Sequence, residues 1–270
     1  MSLIRNDAAA GLLLFLLGAA ATATPALAEV IAVGNGTGSD VPTQTLYWES
    51  PDAKATLILI PGGNGHIGLR PTQTDTRNDF YQALKILTDA TGGNPGMHVV
   101  LFDNPTPMTT TNRSGYLTAR ATADHMSRIS SVVRFYKQKT GKPVWLMGHS
   151  NGAVSITEFL RYKDPENAPS RISGLIVSSA QRVAYFDSRP IDLPVLFLRH
   201  QKDGCPNTVD SRTSLKNFEL IQKTNASVTE FKILQSGGAE DRSPCESGYH
   251  MFYGAGMEMR EALRSFILSR

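Results

Sequence analysis

Val144-Trp145-Leu146-Met147 runs straight into Gly148-His149-Ser150-Asn151-Gly152, and Ala153 to Tyr162 (AVSITEFLRY) follows. The first four residues form an apolar run of strand length, and the last ten repeat apolar residues at helical spacing. Between them lies Gly-x-Ser-x-Gly. The five-residue pattern is common by chance and becomes informative only with a strand before it and a helix after it. A serine at such a turn sits in a strained backbone conformation. Its neighbours must be small so that adjacent backbone can come close, and glycine meets that need. The Ser150 hydroxyl is expected in the crevice at the carboxyl ends of the strands, over a helix N-terminus that favours negative charge. The competing reading is a glycine-rich turn capped by Ser150.

Further out, the same alternation recurs. Ala55–Ile60 (ATLILI) is a buried-strand run ending in Pro61-Gly62-Gly63. Phe80, Leu84 and Leu87 then repeat at helical spacing, and His98–Phe102 (HVVLF) is the next strand. Ala121, His125, Ile129, Val132 and Tyr136 mark one face of a long helix that stops at Gly141. After the central turn come strands at Ile172–Val177 and Val195–Leu198, and a helix carrying Leu215, Phe218 and Ile221. A strand at Val228–Leu234 and a closing helix with Met259, Leu263, Phe266 and Ile267 complete the series. Near-continuous apolar strands separated by helices predict a mostly parallel central sheet with helices on both faces. Gln44–Ser50 (QTLYWES) alternates more cleanly and reads as an antiparallel edge strand.

With Ser150 in this context the chain resembles the α/β-hydrolase family. The resemblance spans roughly Ala55 to Arg270. It implies an order of nucleophile, then acid, then histidine, each after a later strand. The acid should follow Val195–Leu198, where Arg199-His200-Gln201-Lys202-Asp203-Gly204 places Asp203 in the turn. An ordinary Asp-Gly turn is the alternative for Asp203. His250 lies between the last strand and the last helix and is the only histidine after Asp203, so it is the base under this order. The resemblance also implies two N–H donors for an oxyanion. One is the N–H of Asn151. The other comes from Ile60-Pro61-Gly62-Gly63-Asn64-Gly65-His66, where Pro61 stands in place of the family's usual histidine. Gly63 is favoured over Asn64. A phosphate-binding role for this loop is poor, because no Gly-Lys-Ser/Thr follows. Among the other histidines, His98 and His125 read as structural, and His149 as packing beneath the turn. His200 is a rival base that precedes the acid. His66 is a candidate substrate contact, together with Arg113, Tyr185 and Phe186. The connection Ser178–Pro194 is too short for a cap domain, so the resemblance points to an open, minimal form.

The first 28 residues read as an address rather than as fold. Arg5 gives a positive start, Ala8–Ala21 (AAAGLLLFLLGAAA) an apolar core, and Ala26-Leu27-Ala28 a small-x-small cleavage site. The apolar core is short for a membrane span of about 20 residues. Removal of 1–28 leaves residues 29–270, roughly 240 residues, the size of one α/β domain. The protein is therefore expected in the periplasm or outside the cell, with no stable membrane insertion. In an oxidising compartment Cys205 and Cys245 are expected to pair, two separate buried thiols being the alternative. Such a bridge would join the Asp203 turn to the His250 turn. The 270 residues carry a net charge of +3 with scattered basic side chains, which argues against nucleic acid. No metal or organic cofactor is implied. The expected activity is cleavage of a small-molecule or polymeric carboxylic ester through Ser150, His250 and Asp203. A peptidase or amidase on the same residues, and a catalytically silent binding protein on the same fold, are the alternatives. Oligomeric state is not legible.

Overall fold

The computed structural model describes residues 28–35, 41–73, 96–108, 118–162, 171–182, 184, 191–225 and 229–270. The expected signal segment up to residue 27, the helical spacing of Phe80, Leu84 and Leu87, and Arg113, Tyr185 and Phe186 lie outside them. Among the described residues no helix is long and apolar enough to cross a membrane.

Eight strands form one open sheet: β1 (Ala28–Val33), β2 (Thr43–Trp48), β3 (Ala55–Ile60), β4 (Met97–Asp103), β5 (Val144–His149), β6 (Ile172–Ser178), β7 (Val195–His200) and β8 (Thr229–Leu234). Their order is β1-β2-β4-β3-β5-β6-β7-β8. Six strands from β4 to β8 run parallel, and β2 pairs antiparallel with both β1 and β4. Every residue of β3, β4 and β5 is buried. These strands are accordingly continuous apolar runs, as parallel strands covered on both faces must be.

One prediction is corrected at the sheet's edge. Gln44–Ser50 contains an antiparallel strand, but β2 is interior; the edge is β1, which the sequence reading passed over. Its register begins at Ala28 opposite Trp48, at the last residue of the expected signal segment. The half-exposed pattern of β1 explains its weak signal.

The described helices cover both faces. α1 (Ala123–Thr140) and α2 (Gly152–Phe159) pack on one face, against Ile58, Val100, Leu146 and Val177. α3 (Ser211–Thr224) adds Ile221 and Phe218 to the same cluster. α4 (Gly256–Leu268) buries Met259, Leu263, Phe266 and Ile267 on the other face, against Leu57, Leu59, Trp145 and Met147. α1 starts where Thr122 accepts the His125 N–H and ends at left-handed Gly141. Ala121 therefore precedes the helix rather than sharing its face. Leu215, expected on the packed face of α3, is exposed. Asp210 caps that helix by accepting the Thr213 N–H at 2.7 Å.

Candidate active site

The residues of interest come from the carboxyl ends of the parallel strands, where ligand crevices form in open α/β sheets. β5 ends at His149, and the chain turns into α2 within two residues. Ser150 has φ +53°, in the left-handed region that non-glycine residues seldom enter. Its backbone is tied on both sides: its N–H donates to Ser178 O at 2.9 Å and its carbonyl accepts from Gln181 N at 3.2 Å. The two flanking glycines are required by space. A Cβ on Gly148 would lie 2.4 Å from Gly152 O, and one on Gly152 would lie 2.1 Å from Ile60 O. The turn therefore exists only because α2 can lean directly on the ends of β3 and β5.

A cleft of about 320 Å³ opens over Ser150. Its walls include Gly62, Gly63, Asn64 and His66 from the loop after β3, and Asn151 and Gln181 beside the serine. His250, Met251, Asn207 and the two cysteines line it as well. Asp203 follows β7 and is almost wholly buried. His250 Nδ1 lies 3.2 Å from Asp203 Oδ1 and 3.1 Å from Oδ2, so this nitrogen carries the hydrogen and donates to the carboxylate. Nε2 is the nitrogen left for other partners. Burial alone would raise the Asp203 pKa. The hydrogen bond and charge of His250, with Arg199 and the Cys205 N–H, outweigh it and hold the group down at about 2. Arg199 also donates to Asp203 O at 2.7 Å and fixes the turn.

Cys205 and Cys245 form a disulfide. It ties the Asp203 turn to the segment leading into His250, as expected, and both sulfurs' residues border the cleft. The rival base His200 is committed elsewhere: Nδ1 accepts from Lys202 N at 3.1 Å and Nε2 donates to Ser236 O at 3.2 Å. His98 binds the Tyr47 hydroxyl and the Ser50 N–H, in keeping with a structural role. His149 packs against the His250 ring at 4.9 Å and pairs with the Ser178 hydroxyl at 3.0 Å. Burial, and then the charge of His250, push the His149 pKa well down, so it is neutral.

The loop after β3 is built with its carbonyls inward. Gly63 O accepts from Asn151 Nδ2 at 2.9 Å, and Gln181 Nε2 donates to Asn151 Oδ1 at 3.1 Å. The N–H groups of Gly63, Asn64 and Asn151 make no hydrogen bond within the described residues. His66 lies on the cleft wall, with Nδ1 donating to Asn104 O at 2.7 Å. Arg120, Gln181 and Asn207 were not singled out from the sequence. No motif marks them; they reach the site only through the fold. Among the described residues no cluster of His, Cys, Asp or Glu could hold a metal ion.

No family model matches the sequence, and no curated protein does. Solved structures do resemble it. A dienelactone hydrolase from Anabaena variabilis superposes with TM-score 0.57 at 11% identity, covering 91% of this chain and 99% of that one. An α/β serine hydrolase without a lid from Xanthomonas campestris gives 0.53 at 14%, covering 91% and 96%. An esterase from Pyrococcus furiosus gives 0.57 at 12%, covering 90% of each chain. The chain has the α/β-hydrolase fold.

Proposed function

We propose that the protein is an exported serine hydrolase that cleaves a carboxylic ester through an acyl-enzyme intermediate. The observation that carries this reading is the convergence in one cleft of Ser150 at a strained strand-to-helix turn and a buried Asp203–His250 pair. The similar structures support a hydrolase on this fold, and the lid-less one agrees with the short connection Ser178–Pro194. The N-terminal segment and the disulfide support export.

In this mechanism Ser150 Oγ attacks the ester carbonyl while His250 Nε2 takes its proton. Asp203 holds the imidazole by Nδ1 and stabilises the imidazolium that forms. The N–H groups of Asn151 and of Gly63 (or Asn64) bind the oxyanion, and the N-terminus of α2 adds favourable potential. His250 returns the proton to the departing alcohol. Water then gives its proton to His250 as its oxygen bonds to the acyl carbon; the bond to Ser150 Oγ breaks, Oγ takes the proton back from His250, and the acid leaves.

The test is hydrolysis of p-nitrophenyl esters by wild type and Ser150→Ala. Turnover should fall by at least about 10⁴-fold, as when a triad nucleophile is removed. A Ser150→Ala protein that hydrolyses these esters at the wild-type rate refutes the assignment. Stoichiometric labelling of Ser150 by a fluorophosphonate separates an active hydrolase from a silent binding protein. Matched ester and aminoacyl-amide substrates separate esterase from amidase.

A further inference from the structure

Arg120 is fully buried, just before α1, and its guanidinium points at the loop after β3. Nη1 donates to Pro61 O at 2.9 Å and to Ser155 Oγ at 3.0 Å. Nη2 donates to Gly62 O at 3.3 Å and to Gly63 O at 3.1 Å. All four terminal hydrogens are thus committed, three of them to successive carbonyls of one loop. The loop is pressed onto the guanidinium: a Cβ on Gly65 would lie 3.1 Å from Nη2.

Peptide geometry turns this contact into an orientation. In a trans peptide the N–H points away from the preceding carbonyl, and the described chain has no cis bond. Gly62 O and Gly63 O face the buried guanidinium, so the N–H groups of Gly63 and Asn64 face the other way, toward the exposed cleft side of the loop. A cation behind the carbonyls also draws electron density from these peptide groups and makes their N–H ends better donors.

The guanidinium is itself held in place. Ser155 Oγ accepts from Arg120, so its hydrogen goes to His125 Nε2 at 2.8 Å. His125 Nδ1 then carries its own hydrogen and donates to Asn104 Oδ1 at 3.1 Å. Burial first, then Arg120 and Arg128, hold the His125 pKa near 3, so this relay is neutral at ordinary pH. Asn104 closes the ring by donating its N–H to Gly65 O at 3.0 Å.

We propose that Arg120 is a positioning residue for oxyanion stabilisation: its fork gathers the carbonyls of Pro61, Gly62 and Gly63 and aims the Gly63 and Asn64 N–H groups at the reacting carbonyl beside Ser150. This rests on the reading of Ser150 as nucleophile. The interaction strengthens only as negative charge develops on the substrate oxygen, so it acts on kcat rather than on KM.

The experiment compares wild type, Arg120→Met and Arg120→Lys on p-nitrophenyl acetate, with an aryl trifluoromethyl ketone as an analogue of the tetrahedral adduct. Arg120→Met is expected to lose about 100-fold in kcat, the scale of one oxyanion donor, with KM within about threefold of wild type. Affinity for the ketone should fall in parallel, and Arg120→Lys should recover part of both. Wild-type kcat in Arg120→Met, or a fall in kcat with unchanged ketone affinity, overturns the proposal. Should Arg120→Met fail to fold, Ser155→Ala removes one contact and keeps the arginine. A smaller loss of kcat and ketone affinity together is then expected, and unchanged values of both overturn it. Fluorophosphonate labelling is run alongside. Wild-type protein that resists labelling at Ser150 refutes the parent reading, whereas labelled protein with indifferent Arg120 variants refutes this one alone.

Discussion

Replacing Gly152 by alanine tests whether the close approach of α2 to the sheet sets the geometry of the turn. The added Cβ would lie 2.1 Å from Ile60 O and 2.9 Å from Pro61 O, where real Cβ contacts under 3.0 Å essentially never occur. Both neighbours are backbone, so no side chain can swing away. The start of α2 must move by roughly 1 Å from the end of β3, carrying Asn151 and Ser150 with it, and a misplacement of that size can cost about 10²-fold in rate. Overpacking of this kind costs about 1–3 kcal/mol, which lowers the Tm of a chain this size by roughly 2–12 °C. The assay is kcat/KM for p-nitrophenyl acetate beside a thermal melt. Gly34→Ala is the control, since nothing lies within 4 Å of its Cβ, and it should leave both values unchanged. A Gly152→Ala protein within threefold of wild-type activity and at unchanged Tm would refute the packing argument.

Two other outcomes follow from the same region. The Cys205–Cys245 bridge closes a loop with a sequence separation of 40; by chain entropy it contributes about 4 kcal/mol, so reduction should lower Tm by roughly 8–16 °C. A melt insensitive to reductant, with both thiols shown to be free, would contradict this. Asp203 is held down at about 2 in the folded protein, below the unfolded carboxylate value of about 3.9, so its contribution of roughly 2 kcal/mol is full above pH 4 and disappears as pH falls through about 2. Urea denaturation between pH 5 and pH 2 should therefore show a smaller loss of stability in Asp203→Asn than in wild type, and equal losses would sink the assignment of that pair.

The alternating pattern was legible because burial on both faces leaves no room for polar residues: β3, β4 and β5 stand out as apolar runs. The stop of helix α1 was legible at Gly141, but its start was not, since Ala121 lies ahead of the Thr122 cap. The edge was misplaced because an edge strand buries only part of its surface, and β1 begins at the last residue of the expected signal segment. The places expected for Ser150, Asp203 and His250 come from the strand order that the resemblance implies; in the structure His250 lies against Asp203, and Ser150 and His250 line one cleft. Arg120 could not be found in that way. It is one basic residue among 27, and its partners Pro61, Gly62 and Gly63 are 57–59 positions away. Nothing local distinguishes a buried arginine from a solvated one. The polar cleft residues Gln181 and Asn207 are silent for the same reason.

The side chain of Asn151 joins three segments that the sequence keeps far apart. Its amide gives a hydrogen to Gly63 O and takes one from Gln181, while its own backbone follows Ser150. Aspartate there would set a carboxylate against the Gly63 carbonyl, and serine would be too short to span the gap. In a mutagenesis library this position should tolerate almost nothing, whereas Asn64 and Asn207, exposed on the rim of the same cleft, should accept a wide range of side chains. Selection for new substrates would then leave its record on the rim asparagines and none on the inner one.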